Sequence, residues 1–213
     1  MLVSVFVLLL LQLFIHSYDK IDVIYYLEDN SFLNANYIHI DEKGGVYLLS
    51  GNKILKYTSD LKYETSLEIK GKEIASFDIK NDLIYALDKK KASVNVLNFK
   101  GEFMFSFGEI GKYESNLFLP SDIRIWRDRI FIANTKNKKI NVYDLNGIFL
   151  YEFPIKVGEN YFEPTRIYFD PDGNLYVIES ENKYILKYKS NGELLSSYQK
   201  NDLAIGITEN GFV

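Results

Sequence analysis

Few residues in this chain could do chemistry. It has two histidines, His16 and His39, and no cysteine. Without Cys there is no thiol nucleophile, no disulfide, no thiolate metal site and no acylated lipoprotein anchor. A histidine zinc site needs several ligands in matched geometry, which this inventory does not supply. Ser121-Asp122 and Ser180-Glu181 put hydroxyls beside carboxylates, but no histidine accompanies them to activate the serine. Asp170, Asp172 and Asn174 begin like a calcium loop. Such a loop continues with Gly at its sixth position and Glu at its twelfth. Counting from Asp170, these are Leu175 and Glu181, so the pattern fails at the glycine, and Asp170 to Gly173 reads as a hairpin turn. Gly108 and Gly111 lie between strand units, the wrong context for a phosphate loop. Lys89-Lys90-Lys91 reads as a solvated loop tip, with contact to an acidic partner as the alternative. No catalytic residue, resident metal or cofactor is assigned.

The elements that would position any site are strands. Seventeen Tyr and fifteen Phe favour pleated surfaces, and the mature chain contains no three-turn amphipathic helix. A repeat runs through the chain after residue 35. The aromatics Tyr47, Tyr85, Phe131 and Tyr176 anchor successive second strands, 38, 46 and 45 residues apart. Twelve residues beyond the last three come Leu97, Tyr143 and Tyr188; sixteen beyond come Gly101, Gly147 and Gly192. The first copy is weaker, with Tyr57 ten residues on and Ser59-Asp60 in place of the glycine turn. Each unit reads as a four-stranded antiparallel meander punctuated by Asn-Gly and Asp-Gly turns. Repeats of this length and strand count are the signature of propeller blades.

The fold class is therefore all-β: a β-propeller of four-stranded antiparallel blades, four complete units plus the start of a fifth. Leu203 to Val213 opens that fifth copy, and Asn210 to Val213 matches Gly173 to Tyr176. Ile21 to Leu27 forms a further strand before the first unit. The expectation is an incomplete, open ring that self-associates. The alternative is a small closed ring, in which Ile21 to Leu27 pairs with Leu194 to Tyr198 or with Leu203 to Ile207.

The order Phe-x-Pro, apolar strand, Asp-Gly-Asn-Leu-Tyr-Val, Asn-Lys-x-Ile, Asn-Gly resembles the NHL-repeat propellers and the related six-bladed propellers of bacteria. The matching residues are Pro120 and Pro164, Asp172 to Val177, Asn137 to Ile140, Asn182 to Ile185, and Gly101, Gly147 and Gly192. The resemblance covers residues 36 to 213 and departs from the pattern in the first unit. It implies a scaffold rather than an activity, because one fold hosts many functions. It also includes a few propeller enzymes, an amidating lyase and lactonases, whose central metals are held by His or by carboxylates with Asn.

Leu2 to Ile15 is almost unbroken apolar sequence, short for a membrane span and suited to an export signal. Residues 1–17 are expected to be a signal peptide, with an uncleaved anchor as the alternative, and residues 18–213 the propeller domain. The protein is thus expected to be periplasmic, extracellular or at the cell surface, touching membrane only through that segment if it stays uncleaved. The formal net charge is -4, from 25 basic and 29 acidic residues, which argues against a broad nucleic-acid surface.

Two candidate binding constellations remain. In the first strand of each unit, Ile38, Phe77, Ile123, Ile167 and Ile205 align, as do Ile40, Ile79, Ile125, Phe169 and Ile207. Between them stand His39, Asp78, Arg124, Tyr168 and Gly206, a varied ring on a constant frame that should line the channel. The bland alternative is an ordinary channel wall. The second is a loop face carrying Tyr113, Asn116, Phe118, Asn160 and Tyr161, residue types suited to an interface. Its bland alternative is packing between blades. The expected function is non-catalytic binding or assembly with a protein, peptide or glycan ligand. The runner-up is a hydrolase or lyase with a carboxylate-held metal in the channel. Ile125, Phe169 and Val177 should be core.

Overall fold

The computed structural model describes residues 35–199, except 42, 71 and 182, together with 207–208 and 211–212. These residues divide between two compact units, 1–66 with 204–213, and 67–203. The first complete sheet joins β1 (Ala35–Ile40), β2 (Val46–Ser50), β3 (Lys53–Tyr57) and β4 (Tyr63–Glu68) in sequence order. Its core holds Val46, Leu48, Leu55, Tyr57 and Leu61. At the chain's end β19 (Ile207–Thr208) and β20 (Gly211–Phe212) pair antiparallel as the start of a further unit. Ile21 to Leu27, Leu2 to Ile15 and Gly206 lie outside the described residues.

The second unit contains three more meanders. They are β5 (Ile74–Lys80), β6 (Leu83–Asp88), β7 (Ser93–Asn98) and β8 (Phe103–Phe107); β9 (Asp122–Trp126), β10 (Arg129–Asn134), β11 (Lys139–Asp144) and β12 (Phe149–Pro154); and β15 (Pro164–Phe169), β16 (Asn174–Glu179), β17 (Tyr184–Lys189) and β18 (Leu194–Gln199). A short hairpin, β13 (Lys156–Val157) with β14 (Asn160–Tyr161), links the last two. These sheets pack face to face and are propeller blades. We call them the second, third and fourth blades.

Strand alternation explains the packing. Successive side chains of a strand point to opposite faces, and the third blade has a neighbour on both. Ile130 and Ile132 of β10 join Tyr85, Leu87, Val94 and Val96 of the second blade. Phe131 and Ala133, the alternate residues, join Ile167, Leu175, Val177 and Leu186 of the fourth. A central blade strand therefore reads as a continuous apolar run because both faces are covered.

One expectation needs correction. Val177 is fully buried, but Ile125 and Phe169 are only partly so, packed at the margins of the two clusters. The fully buried inner-strand residues are Ile123 and Ile167, two positions earlier. Ile125 and Phe169 sit near the hairpin ends of β9 and β15, where coverage by the neighbouring blade runs out.

Turn chemistry follows the sequence reading. Gly173 has φ +86° and donates its N–H to Asp170 O at 2.9 Å. Asn174 Nδ2 donates to Asp170 Oδ2 at 2.8 Å, so the Asp-Pro-Asp-Gly segment is a hairpin turn. Gly147 and Gly192 add a packing requirement. A Cβ on Gly147 would stand 2.4 Å from the Phe107 ring, and one on Gly192 2.6 Å from Phe153. The turn glycine of one blade thus receives an aromatic from the outer strand of the blade before it.

Candidate functional site

The inner strands β5, β9 and β15 carry a repeated stitch. Ser76 Oγ accepts Ile123 N–H at 2.9 Å, and Asp78 Oδ2 accepts Ile125 N–H at 2.6 Å. One blade on, Asp122 Oδ2 accepts Ile167 N–H at 2.9 Å. The reason is positional. An innermost strand has a partner on one side only, so alternate N–H groups on its free edge need acceptors. Polar side chains of the preceding inner strand supply them.

The ring residues divide accordingly. Asp78 is buried, and its Oδ1 also accepts Ile79 N–H at 2.7 Å, so its carboxylate joins two blades. Arg124 Nη1 donates to Asp122 Oδ1 at 2.7 Å and to Ile123 O at 2.6 Å. Its guanidinium lies over the Tyr168 ring, 5.2 Å from the centroid. Arg124 and Tyr168 therefore meet across neighbouring blades. Burial pushes the Tyr168 phenol above its usual range, with Arg124 and Arg166 opposing and Asp122 reinforcing the shift. His39, in the first unit, stands opposite Tyr47 in the β1–β2 register, with ring centroids 6.0 Å apart.

The loop residues also divide. Asn116 O accepts Asn134 Nδ2 at 2.8 Å, and Phe118 N–H reaches Asn134 Oδ1 at 2.8 Å. Both residues are thus fastened into the connection between the second and third blades, with Lys112 Nζ 5.6 Å from the Phe118 ring. Tyr143 OH also ties this connection, donating to Ser115 O at 2.5 Å; burial raises its pKa strongly. Tyr113, in the same connection, projects at 84% exposure.

Asn160 and Tyr161 line an open cleft of about 540 Å³ with Lys138, Phe162, Glu163, Glu179, Ser180, Glu181, Lys183 and Tyr184. That volume is in the range of ligand sites. Phe162 and Tyr184 form its aromatic wall, ring centroids 5.4 Å apart. Glu179, 2% exposed, is spent on the loop: its carboxylate accepts the backbone N–H groups of Glu181, Lys183 and Tyr184. Lys136 pairs with Glu163 at 2.9 Å and Lys183 with Glu181 at 2.5 Å, whereas Lys138 forms no ion pair with a described residue. The Lys183 ammonium beside Glu181 lowers that carboxyl's pKa.

Lys138, Phe162, Glu179 and Tyr184 were not marked as site residues from sequence. A signal existed for Glu179: a polar residue closes an otherwise apolar second strand, as Asp88 and Asn134 do at the same repeat position. Among the described residues no cluster of three His, Asp or Glu side chains is placed to hold a metal ion.

No protein-family model matches the chain. It is 26% identical over 121 residues to Protein brain tumor of Drosophila melanogaster, covering 55% of this chain and 11% of that protein. Streptogramin B lyase superposes with a TM-score of 0.60 at 17% identity, covering 78% of this chain and 54% of that one. A catalytically inactive histidine-to-alanine variant of virginiamycin B lyase from Staphylococcus aureus, solved with quinupristin, gives 0.59 at 18%, covering 80% and 58%. Hydrazine synthase of Kuenenia stuttgartiensis gives 0.60 at 13%, covering 85% and 53%. At these identities the likeness to the solved structures is one of fold. The chain spans somewhat over half of those structures and about a tenth of the curated relative.

Proposed function

We propose that this protein is an exported, non-catalytic binding module of NHL-like type that takes a protein or peptide ligand in the cleft between its third and fourth blades. The cleft's composition carries the reading. Tyr161 is half exposed beside Phe162 and Tyr184, and Lys138 brings a cation without an ion-pair partner among the described residues. Aromatic anchors with charged neighbours are the pattern of protein interfaces. A glycan is the other ligand that an aromatic wall would accept. The lyase reading is weaker: the virginiamycin B lyase variant lost activity with one histidine, and this sequence has only His16 and His39.

A displayed random-peptide library panned on the purified chain tests the cleft. A selected peptide should bind Tyr161→Ala roughly 10- to 100-fold more weakly, the loss expected of an aromatic hot spot. Equal affinity for the variant, or no peptide enriched at all, overturns the reading.

The export half rests on the apolar run Leu2 to Ile15. Protein isolated from its native host should begin near Tyr18. Soluble cytoplasmic protein that still carries Leu2 to Ile15 would contradict it.

A further inference from the structure

The stitch between inner strands is interrupted at one step. Ser76 and Asp78 of the second blade meet the edge N–H groups of Ile123 and Ile125 in the third. Repeating this one blade later, Asp122 meets Ile167 N–H, but the residue equivalent to Asp78 is Arg124. A guanidinium has donors only. It cannot take the N–H of Phe169, the residue equivalent to Ile125.

The register puts that N–H on the free edge. In an antiparallel pair, opposed residues alternate between bonded and non-bonded. Ile167 opposes Val177 and Phe169 opposes Leu175, so the two residues are of one type. Ile167 N–H points away from β16, to Asp122, and Phe169 N–H does the same. The hairpin confirms the phase, since Asp170 N–H, one residue on, turns back to Asn174 O at 3.0 Å. No described side chain accepts from Phe169 N–H. Its chain neighbour Tyr168 carries over its ring, from across the blade boundary, the guanidinium of Arg124, whose side chain is 15% exposed.

We propose that this edge binds a carboxylate from a ligand, held by Phe169 N–H and the Arg124 guanidinium in the position that Asp78 occupies one blade earlier. The chemistry is that of a charge-assisted hydrogen bond to a backbone amide, completed by a guanidinium. Tyr168 keeps the guanidinium flat and partly dehydrated, which strengthens its hold on an anion. The ligand's carboxylate belongs either to a small organic acid or to the free C-terminus of a peptide. The site is separate from the cleft, and either can fail without the other.

Amide NMR of the whole chain tests it, with succinate and sodium chloride titrated at matched ionic strength. Succinate should move the Phe169 amide downfield saturably, and chloride should not. Arg124→Leu should weaken that response ~10-fold or more, as expected for losing a charged hydrogen-bond partner. The double variant Asp122→Ser with Arg124→Asp copies the Ser76/Asp78 pair. Its Phe169 amide should already lie downfield and ignore succinate. An acetylated tripeptide acid compared with its C-terminal amide separates the sources. A response to the acid tighter than to succinate assigns a peptide terminus; the reverse assigns a small acid. A wild-type Phe169 amide unmoved at saturating succinate and peptide acid, or equal responses in Arg124→Leu, overturns the proposal without recourse to the double variant.

Discussion

Asp122→Ala should lower the unfolding free energy by ~3–5 kcal/mol, the usual result of removing one partner from a buried charge pair. Its side chain is fully buried, and its two oxygens serve three donors. Oδ1 accepts Ile123 N–H at 2.9 Å and Arg124 Nη1 at 2.7 Å; Oδ2 accepts Ile167 N–H at 2.9 Å. Alanine leaves the buried Ile167 amide and part of a guanidinium without an acceptor, while Ile123 N–H keeps only Ser76 Oγ, and each loss carries a desolvation cost. It also opens the joint between the third and fourth blades. Equilibrium urea unfolding reads the change. Glu163→Ala is the control, since its pair with Lys136 is partly exposed and should matter by about 0–1 kcal/mol. A loss for Asp122→Ala no larger than the control's would mean that the inner-edge stitches do not join the blades.

Phe131→Ala should cost a similar ~3–5 kcal/mol by a different route, loss of transfer energy plus a cavity. Phe131 is fully buried on the face of β10 directed at the fourth blade. Its ring meets Phe169 edge-on, centroids 4.8 Å apart, and Phe169 stacks on Trp126 at 5.4 Å. Phe169→Ala removes a ring of equal size from a partly exposed margin and should cost clearly less. Equal losses at the two positions would contradict the placement of the core between blades. Urea midpoints with unchanged slopes would show that stability alone has changed.

Much of this architecture was legible beforehand because it is local. The turn at Asp170 to Gly173 is dictated by a proline, a glycine and an Asn that reaches back to Asp170. The spacing of Tyr85, Phe131 and Tyr176 from their Asn-Gly turns sets strand lengths, and strand lengths with tight turns leave a meander as the solution. Apolar residues at consecutive positions of β10 announced two covered faces, although not which residue served which neighbour.

The site was legible in part. Arg124 and Tyr168 were marked as a varying position on a constant frame, and they do meet. Asp78 was marked with them, yet its carboxylate is consumed in holding Ile125 N–H. Asn116 and Phe118, marked as interface residues, are held by Asn134 through their main-chain atoms. Composition cannot separate a spent Asp78 from one open to a ligand, because a carboxylate that binds a ligand and one that ties two strands are the same chemical group.

The sequence by itself determined the repeat, the four-stranded unit, the turn types and the scarcity of catalytic groups, all properties of residues near one another in the chain. Tertiary structure decided which polar side chains are spent. Asp78 and Ile125 lie 47 positions apart, and Asp122 and Ile167 lie 45 apart. Whether an edge amide finds an acceptor depends on the facing residue one blade away, and that pairing exists only once the blades have packed.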